Sequence, residues 1–359
     1  MVRYEPVAWT QIDGWQTDNV QEAWSAFLQS CAAIGSRLEW QAVCERARAA
    51  PANSTAEVRA FFESNFSAYQ IAVLRGRRDR ITTGLITGYY EPLLRGSRTP
   101  SAQFTVPLYA APDDLLTIEL ADLYPELKGK RVRGRLEGKK IVPYPDRARL
   151  ANHAPLKGKE LVWVDSAVDA FFLEIQGSGR VQLSDGEVIR LAYSDQNGHP
   201  YRAIGRYLVD LGELTVEEAT APGIRAWLAR HPERAQEVLN ANPSAVFFRA
   251  EPVVDPAQGP KGALQVPLTQ GRSIAVDPSM IPLGAPVFLS TTYPESTQPL
   301  QRLVLAQDTG GAIRGAIRAD LFWGFGAAAG DAAGRMRQQG KLWLLLPQGM
   351  NPPAVQRSR

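Results

Sequence analysis

The chain has 359 residues, with 40 Lys and Arg against 37 Asp and Glu for a net charge of +3, and 45% hydrophobic residues including 8 Trp, 11 Tyr and 12 Phe. This is the balance of a folded soluble protein long enough for two domains, and its small net charge supplies no global field that would demand nucleic acid as a partner. No apolar run approaches the ~20 residues needed to span a bilayer.

The opening MVRYEPVAWTQIDGW lacks the basic start, apolar core and cleavage site of a leader, so either the protein is not exported or its leader lies outside this numbering. To about residue 70 the chain reads as helices. Val20, Ala23, Trp24, Phe27, Leu28 and Cys31 recur at three and four, one apolar stripe with Asp18 placed to cap it. Ser54 and Glu57 form a capping-box pattern ahead of Val58, Phe61 and Phe62. Cys31 and Cys44 both fall at apolar helical positions and read as small buried thiols, not as a disulfide framework or a metal site.

From about Ile81 the period shortens to that of strands bounded by Gly and Pro, with hairpin signals at Glu137-Gly138 and Asp185-Gly186. The basic cluster Lys128, Lys130, Arg131, Arg133, Arg135, Lys139 and Lys140 reads as a solvated hairpin whose charges keep an edge from pairing. A helix over Tyr201, Ile204, Leu208 and Leu211 follows Pro200, and Thr215 with Glu218 repeats the capping-box pattern. Beyond Pro243 come short β segments, AVFFRA, LQVPL, SIAVD, APVFLS, RLVLAQD and KLWLLLP, whose even punctuation suggests a small barrel. The final QGMNPPAVQRSR reads as a disordered tail.

His153, His199 and His231 are too scattered for a zinc spacing or a catalytic triad, so neither metal nor cofactor is expected. Four segments carry more Gly, aromatic and polar residues than packing needs: TGYYEP from Thr87, QGSG from Gln176, Asp277-Pro278, and the run from Asp308 to Gly326. In that run Asp320 is followed at once by Leu321, Phe322 and Trp323. A carboxyl group acting as general acid near neutral pH must hold its proton well above the ordinary value of about 3.9, by burial or by neighbouring carboxylates. Asp320 has access to both devices if Asp277 and Asp308 fold beside it. Taken alone, all three aspartates read equally well as turn or cap residues.

The segments TGYYEP, DAFFLEIQGSGRV, AYSDQNGHPYRAIG, NPSAVFFR, SIAVDPSMIPLG and DTGGAIRGAIRADLFWGFG, in this order, resemble the family of membrane-bound lytic murein transglycosylase A. The resemblance implies a mainly β, α+β architecture with a helical N-terminal part. A discontinuous domain over residues 1–93 and 249–347 would hold a double-psi β-barrel, residues 94–248 would form an inserted β-rich domain, residues 348–359 a tail, and a glycan groove would run between the domains. It places the catalytic acid on Asp320, makes Asp308 and Asp277 supporting groups, and puts Thr87, Tyr89, Tyr90, Gln176 and Ser178 on the substrate.

The implied reaction is cleavage of the β-1,4 bond between N-acetylmuramic acid and N-acetylglucosamine in peptidoglycan glycan strands, with one Asp acting as acid and then base to leave a 1,6-anhydromuramyl end. A monomer in the cell envelope is implied, periplasmic and in the family's pattern outer-membrane associated, although no lipidation cysteine after a leader is visible. The competing readings are a hydrolase that uses water, a glycan-binding protein without catalysis, and an aspartic protease on the strength of Asp308-Thr309-Gly310. The last lacks a second such loop.

Overall fold

The structure, a computed structural model, describes residues 1–76, 79–127, 130, 132–150, 154–253 and 255–354. It divides into two compact units, Met1–Tyr90 with the chain from Ala257 onward, and Glu91–Pro256. The fold is mainly β with a helical N-terminal part.

In the first unit six strands close a ring. Arg337–Pro347 pairs with Pro286–Thr292, then follow Pro299–Asp308, Ser273–Val276, Ala319–Phe325 and Gly84–Glu91, which returns to Arg337–Pro347. Most neighbours are antiparallel, but Ser273–Val276 runs parallel to Pro299–Asp308. Closure removes the open edges. Consecutive residues of these strands, among them Val287, Phe288 and Leu289, and Leu342, Trp343 and Leu344, are buried in one core, so both faces of the strands are covered.

Helices Trp24–Ile34, Leu38–Ala49 and Thr55–Asn65 contribute to that core. The Ser54 hydroxyl accepts the Glu57 N–H at 3.2 Å, while the Glu57 carboxylate reaches back to the N–H of Asn53. Trp15, Phe27, Phe62, Phe66, Phe288 and Trp343 interlock by edge and tilted ring contacts.

Several sequence expectations need correction here. Cys31 and Cys44 form a disulfide, with Cα atoms 5.3 Å apart, because their two helices lie side by side and bring the apolar stripes into contact. Val2–Val7 is a strand paired with Phe66–Arg75, so strands begin well before Ile81. Asp18 caps no helix. Its carboxylate accepts the Arg272 guanidinium at 2.9 and 3.0 Å and the Leu303 N–H at 2.7 Å, a buried pair that ties the N-terminal segment to the barrel. LQVPL forms no strand, and the Thr215–Glu218 box closes a single turn ahead of the helix Ala221–Arg230.

The second unit holds a six-stranded sheet in the order Val246–Pro252, Val188–Gln196, Ser178–Leu183, Leu93–Ser97, Glu160–Val164, Val106–Tyr109. Both expected hairpins form there, Glu137 pairing with Lys140 and Ser178–Leu183 with Val188–Gln196. Lys128 and Arg131 lie outside the described residues. Arg133 pairs with Asp195 and Arg135 with Glu137, while Lys139 and Lys140 are exposed. Helices Ala167–Gln176, Ile204–Asp210, Ala221–Arg230 and Ala235–Asn240 enclose a separate cluster around Trp227 and Leu208. Glu91, fully buried, joins Arg180 and Arg190 in this unit. Among the described residues no helix is long and apolar enough to cross a membrane.

Candidate active site

Asp320 and Asp308 sit on two strands that flank the same third strand. Ala275 is in register with Asp308 on one side and with Asp320 on the other. Directly opposed residues of neighbouring strands point to one face, so the two carboxyl groups share a face about 10 Å apart at the backbone, twice the spacing of strands. Tyr89, Leu268, Ala275, Ile313 and Phe322 form the apolar floor of this face.

Asp320 is partly accessible. Burial pushes its pKa up to about 6, against the Thr87 hydrogen bond and the Arg318 charge that favour the carboxylate; Asp308 adds a smaller upward push. The Thr87 hydroxyl donates to Oδ1 at 2.5 Å. The guanidinium of Arg318 donates to the carbonyl of Ala319, beside the acid, and is itself pushed down by burial.

Asp308 accepts the Ala263 N–H at 2.9 Å and the Thr309 N–H at 2.8 Å on Oδ1, and the Tyr89 hydroxyl at 3.0 Å on Oδ2. Burial raises its proton affinity despite these three donors. Tyr89 is held far above its ordinary value by burial and by the charges of Asp308 and Asp320, so it remains a neutral donor. Its ring lies 5.3 Å from that of Phe322.

The strand Gly84–Glu91 delivers Thr87 and Tyr89 to this face, and Gly88 between them is required. A Cβ there would lie 2.5 Å from Nε1 of Trp323. Tyr90 packs against Gly330 of the helix Gly326–Arg335.

Asp277 has hydrogen-bond partners of its own. Burial would raise its pKa, but hydrogen bonds from the Ser279 hydroxyl, the Gly315 N–H and the Ser279 N–H, with the Arg314 charge, together hold it below the ordinary carboxylate value. It fastens its own turn to the loop at Gly315. Gln176 and Ser178 lie in the second unit, on either side of Gly177, which ends a helix at φ 78°. Nε2 of His199 donates to the Tyr144 carbonyl at 2.6 Å and His231 stacks on Trp227, while His153 lies outside the described residues.

The sequence matches the family described as MltA specific insert domain over residues 85–249 and the family described as 3D domain over residues 272–346. Over 266 residues it is 32% identical to membrane-bound lytic murein transglycosylase A of Escherichia coli strain K12, covering 72% of this chain and 64% of that protein, just under two thirds of its length. The crystal structure of MltA from Neisseria gonorrhoeae superimposes with a TM-score of 0.84 at 36% identity, covering 98% of this chain and 94% of the other.

The chain belongs to the MltA family.

E. coli MltA with bound chitohexaose, 26% identical, matches with a TM-score of 0.71 over 96% of this chain and 94% of that one. The matched 3D segment of this MltA-family chain contains Asp277, Asp308 and Asp320 together. Sequence reasoning missed Arg318 and Gln307. Arg318 had a signal, a cation two residues from a suspected acid. Gln307 had none, because RLVLAQD reads as one unbroken β segment.

Proposed function

We propose that this protein is a lytic transglycosylase that cleaves the β-1,4 bond between N-acetylmuramic acid and N-acetylglucosamine in peptidoglycan. The single observation carrying this reading is Asp320, a partly accessible carboxyl group on an apolar floor whose proton is held to about 6. The E. coli relative's name and the chitohexaose held by its structure support a glycan substrate.

Because Thr87 donates to Oδ1, the acidic proton resides on Oδ2. Asp320 gives that proton to the glycosidic oxygen as the bond to the muramyl C1 breaks, releasing the N-acetylglucosamine hydroxyl. The carboxylate then takes the proton of the muramyl C6 hydroxyl while its oxygen bonds to C1. The attack is intramolecular, so effective concentration replaces a bound water and a second carboxylate. The Thr87 bond and Arg318 stabilise the carboxylate midway, which keeps one group usable as acid and then as base.

The three hydrogen bonds that Asp308 accepts support a role in placing charge and anchoring the 263 loop, in preference to activating water. Asp277 serves as a loop anchor. A cell-envelope location agrees with the membrane-bound relatives and with the Cys31–Cys44 disulfide, a bond that persists in oxidising compartments. The finer assignment, to the periplasm, rests on the same two facts.

Mass spectrometry of soluble products from purified sacculi tests the reaction. Muropeptides ending in 1,6-anhydromuramic acid are expected. Free reducing ends in their place would establish hydrolysis and overturn the single-acid mechanism.

A further inference from the structure

We propose that Gln307 is a positioning residue for the acid pair, its side chain locking the β-bulge that sets Asp308 level with Asp320. This deepens, and rests on, the reading of Asp320 as the acid.

The strand register carries the first part. Ser273 pairs with Leu305 and Ile274 with Ala306, but Ala275 pairs with Asp308, so Gln307 is the extra residue. In an unbulged ladder Ala275 would face Gln307, and a slip of one residue, about 3.3 Å, turns each side chain to the opposite face. The bulge therefore brings Asp308 into the row that Ala275 shares with Asp320.

The bonding of the bulged residue carries the second. Gln307 is fully buried, and its amide nitrogen donates to the Ala26 carbonyl at 2.8 Å and to the Ser30 hydroxyl at 3.0 Å. Its amide oxygen accepts the Ser273 hydroxyl at 2.6 Å, and Ser273 in turn accepts the Thr269 N–H at 2.7 Å. One side chain thus joins the helix Trp24–Ile34, whose Cys31 is stapled to Cys44, to the strand beneath both acids. A primary amide in an apolar core is unfavourable unless every donor is matched, and here each is.

On the outer side the Gln307 carbonyl accepts the Leu264 N–H at 3.0 Å, next to the Ala263 N–H that holds Asp308. Gly262 admits this approach, since a Cβ there would sit 2.5 Å from the Gln307 carbonyl oxygen.

The groups facing Asp320 are Asp308, Arg318 and the neutral Tyr89, with Thr87 as its hydrogen-bond donor. Release of the bulge withdraws the Asp308 charge and leaves Arg318 unopposed, so Asp320 loses its proton more readily.

The test uses Gln307→Leu and Ser273→Ala in the full chain. Three quantities are read: the Asp320 carboxyl titration midpoint by 13C NMR without ligand, and kcat and KM for release of anhydro ends from sacculi. Gln307→Leu should lower kcat roughly tenfold or more with KM changed less than about twofold. The titration midpoint should fall by about half a unit, and Ser273→Ala should shift it the same way by less.

Leu345→Ala, a large-to-small change in the fully buried core of the C-terminal strand, is the control; it should lower Tm and leave the midpoint in place. Should Gln307→Leu not fold, Ser273→Ala decides. Loss of Tm with midpoint and kcat unmoved would overturn the proposal. A midpoint that shifts as stated in a protein releasing no anhydro ends would instead overturn the transglycosylase reading and leave the positioning intact.

Discussion

Replacing Thr87 by Val removes one hydroxyl at nearly constant shape and isolates the 2.5 Å bond to Asp320 Oδ1. A hydrogen bond to a charged acceptor contributes about 1.5–3 kcal/mol, which at 1.36 kcal/mol per unit corresponds to about one to two pKa units. Asp320 is partly accessible, so water offsets part of this loss and the lower figure, about one unit, is expected. The bond favours the carboxylate, so its loss raises the pKa from about 6 toward about 7.

At pH 7 the protonated fraction then grows from about one molecule in ten to about one half. The alkaline limb of the pH profile for anhydro-product release should move up by about one unit. Thr87→Ser, which keeps the donor, should restore the original limb. The maximal rate in Thr87→Val should still fall, because nothing then fixes which oxygen carries the proton. A limb that stays in place or moves toward acid would refute both the role of Thr87 and the claim that Asp320 ionisation sets the profile.

Asp320→Asn should lower activity by about two to four orders of magnitude on sacculi. The folded-state pKa of Asp320 is raised from 3.8 to about 6, so its contribution to stability is fully present below the unfolded value and is lost as pH rises through 6. That loss is worth up to about 3 kcal/mol, so the denaturation midpoint of Asp320→Asn should gain on the wild type between pH 4 and 8. Reducing the Cys31–Cys44 bond, or replacing both cysteines by Ser, should cost about 3 kcal/mol of stability for a loop of this length, read by thermal melting with and without reductant. Glu91→Ala leaves Arg180 and Arg190 without their shared buried carboxylate and should cost about 3–5 kcal/mol, with proteolytic cleavage concentrated within Glu91–Pro256.

The mainly β architecture was legible because its strands are runs rich in branched and aromatic residues, punctuated by Gly and Pro, and such composition reports local structure. The burial of Asp320 was legible for a related reason. Asp320 has Leu321 and Phe322 as chain neighbours, and burial, which that apolar context announces, is the largest influence on its proton. What failed was whatever depended on contacts far apart in the chain. Cys31 and Cys44 each obeyed a helical stripe, and a stripe cannot distinguish a thiol packed against carbon from one packed against sulfur. Asp18 had the form of a cap, but its partner Arg272 lies 254 residues away. LQVPL has the composition of a strand, yet its backbone bonds Leu264 to the Gln307 carbonyl and closes its own loop through Leu268 and Pro260.

Gln307 is the clearest case, because the property that matters is a register, and register belongs to a pair of strands. RLVLAQD contains no sign that one of its residues is skipped when it meets SIAVD. The consequence bears on mechanism. Burial alone would raise Asp320, but the part owed to Asp308 depends on that skipped residue, and a related sequence with both aspartates and no bulge would place them on different faces. On the proposed reading the two acids and the bulge between them form one unit of function, and possession of Asp308 and Asp320 is a weaker criterion for that mechanism than possession of their common row.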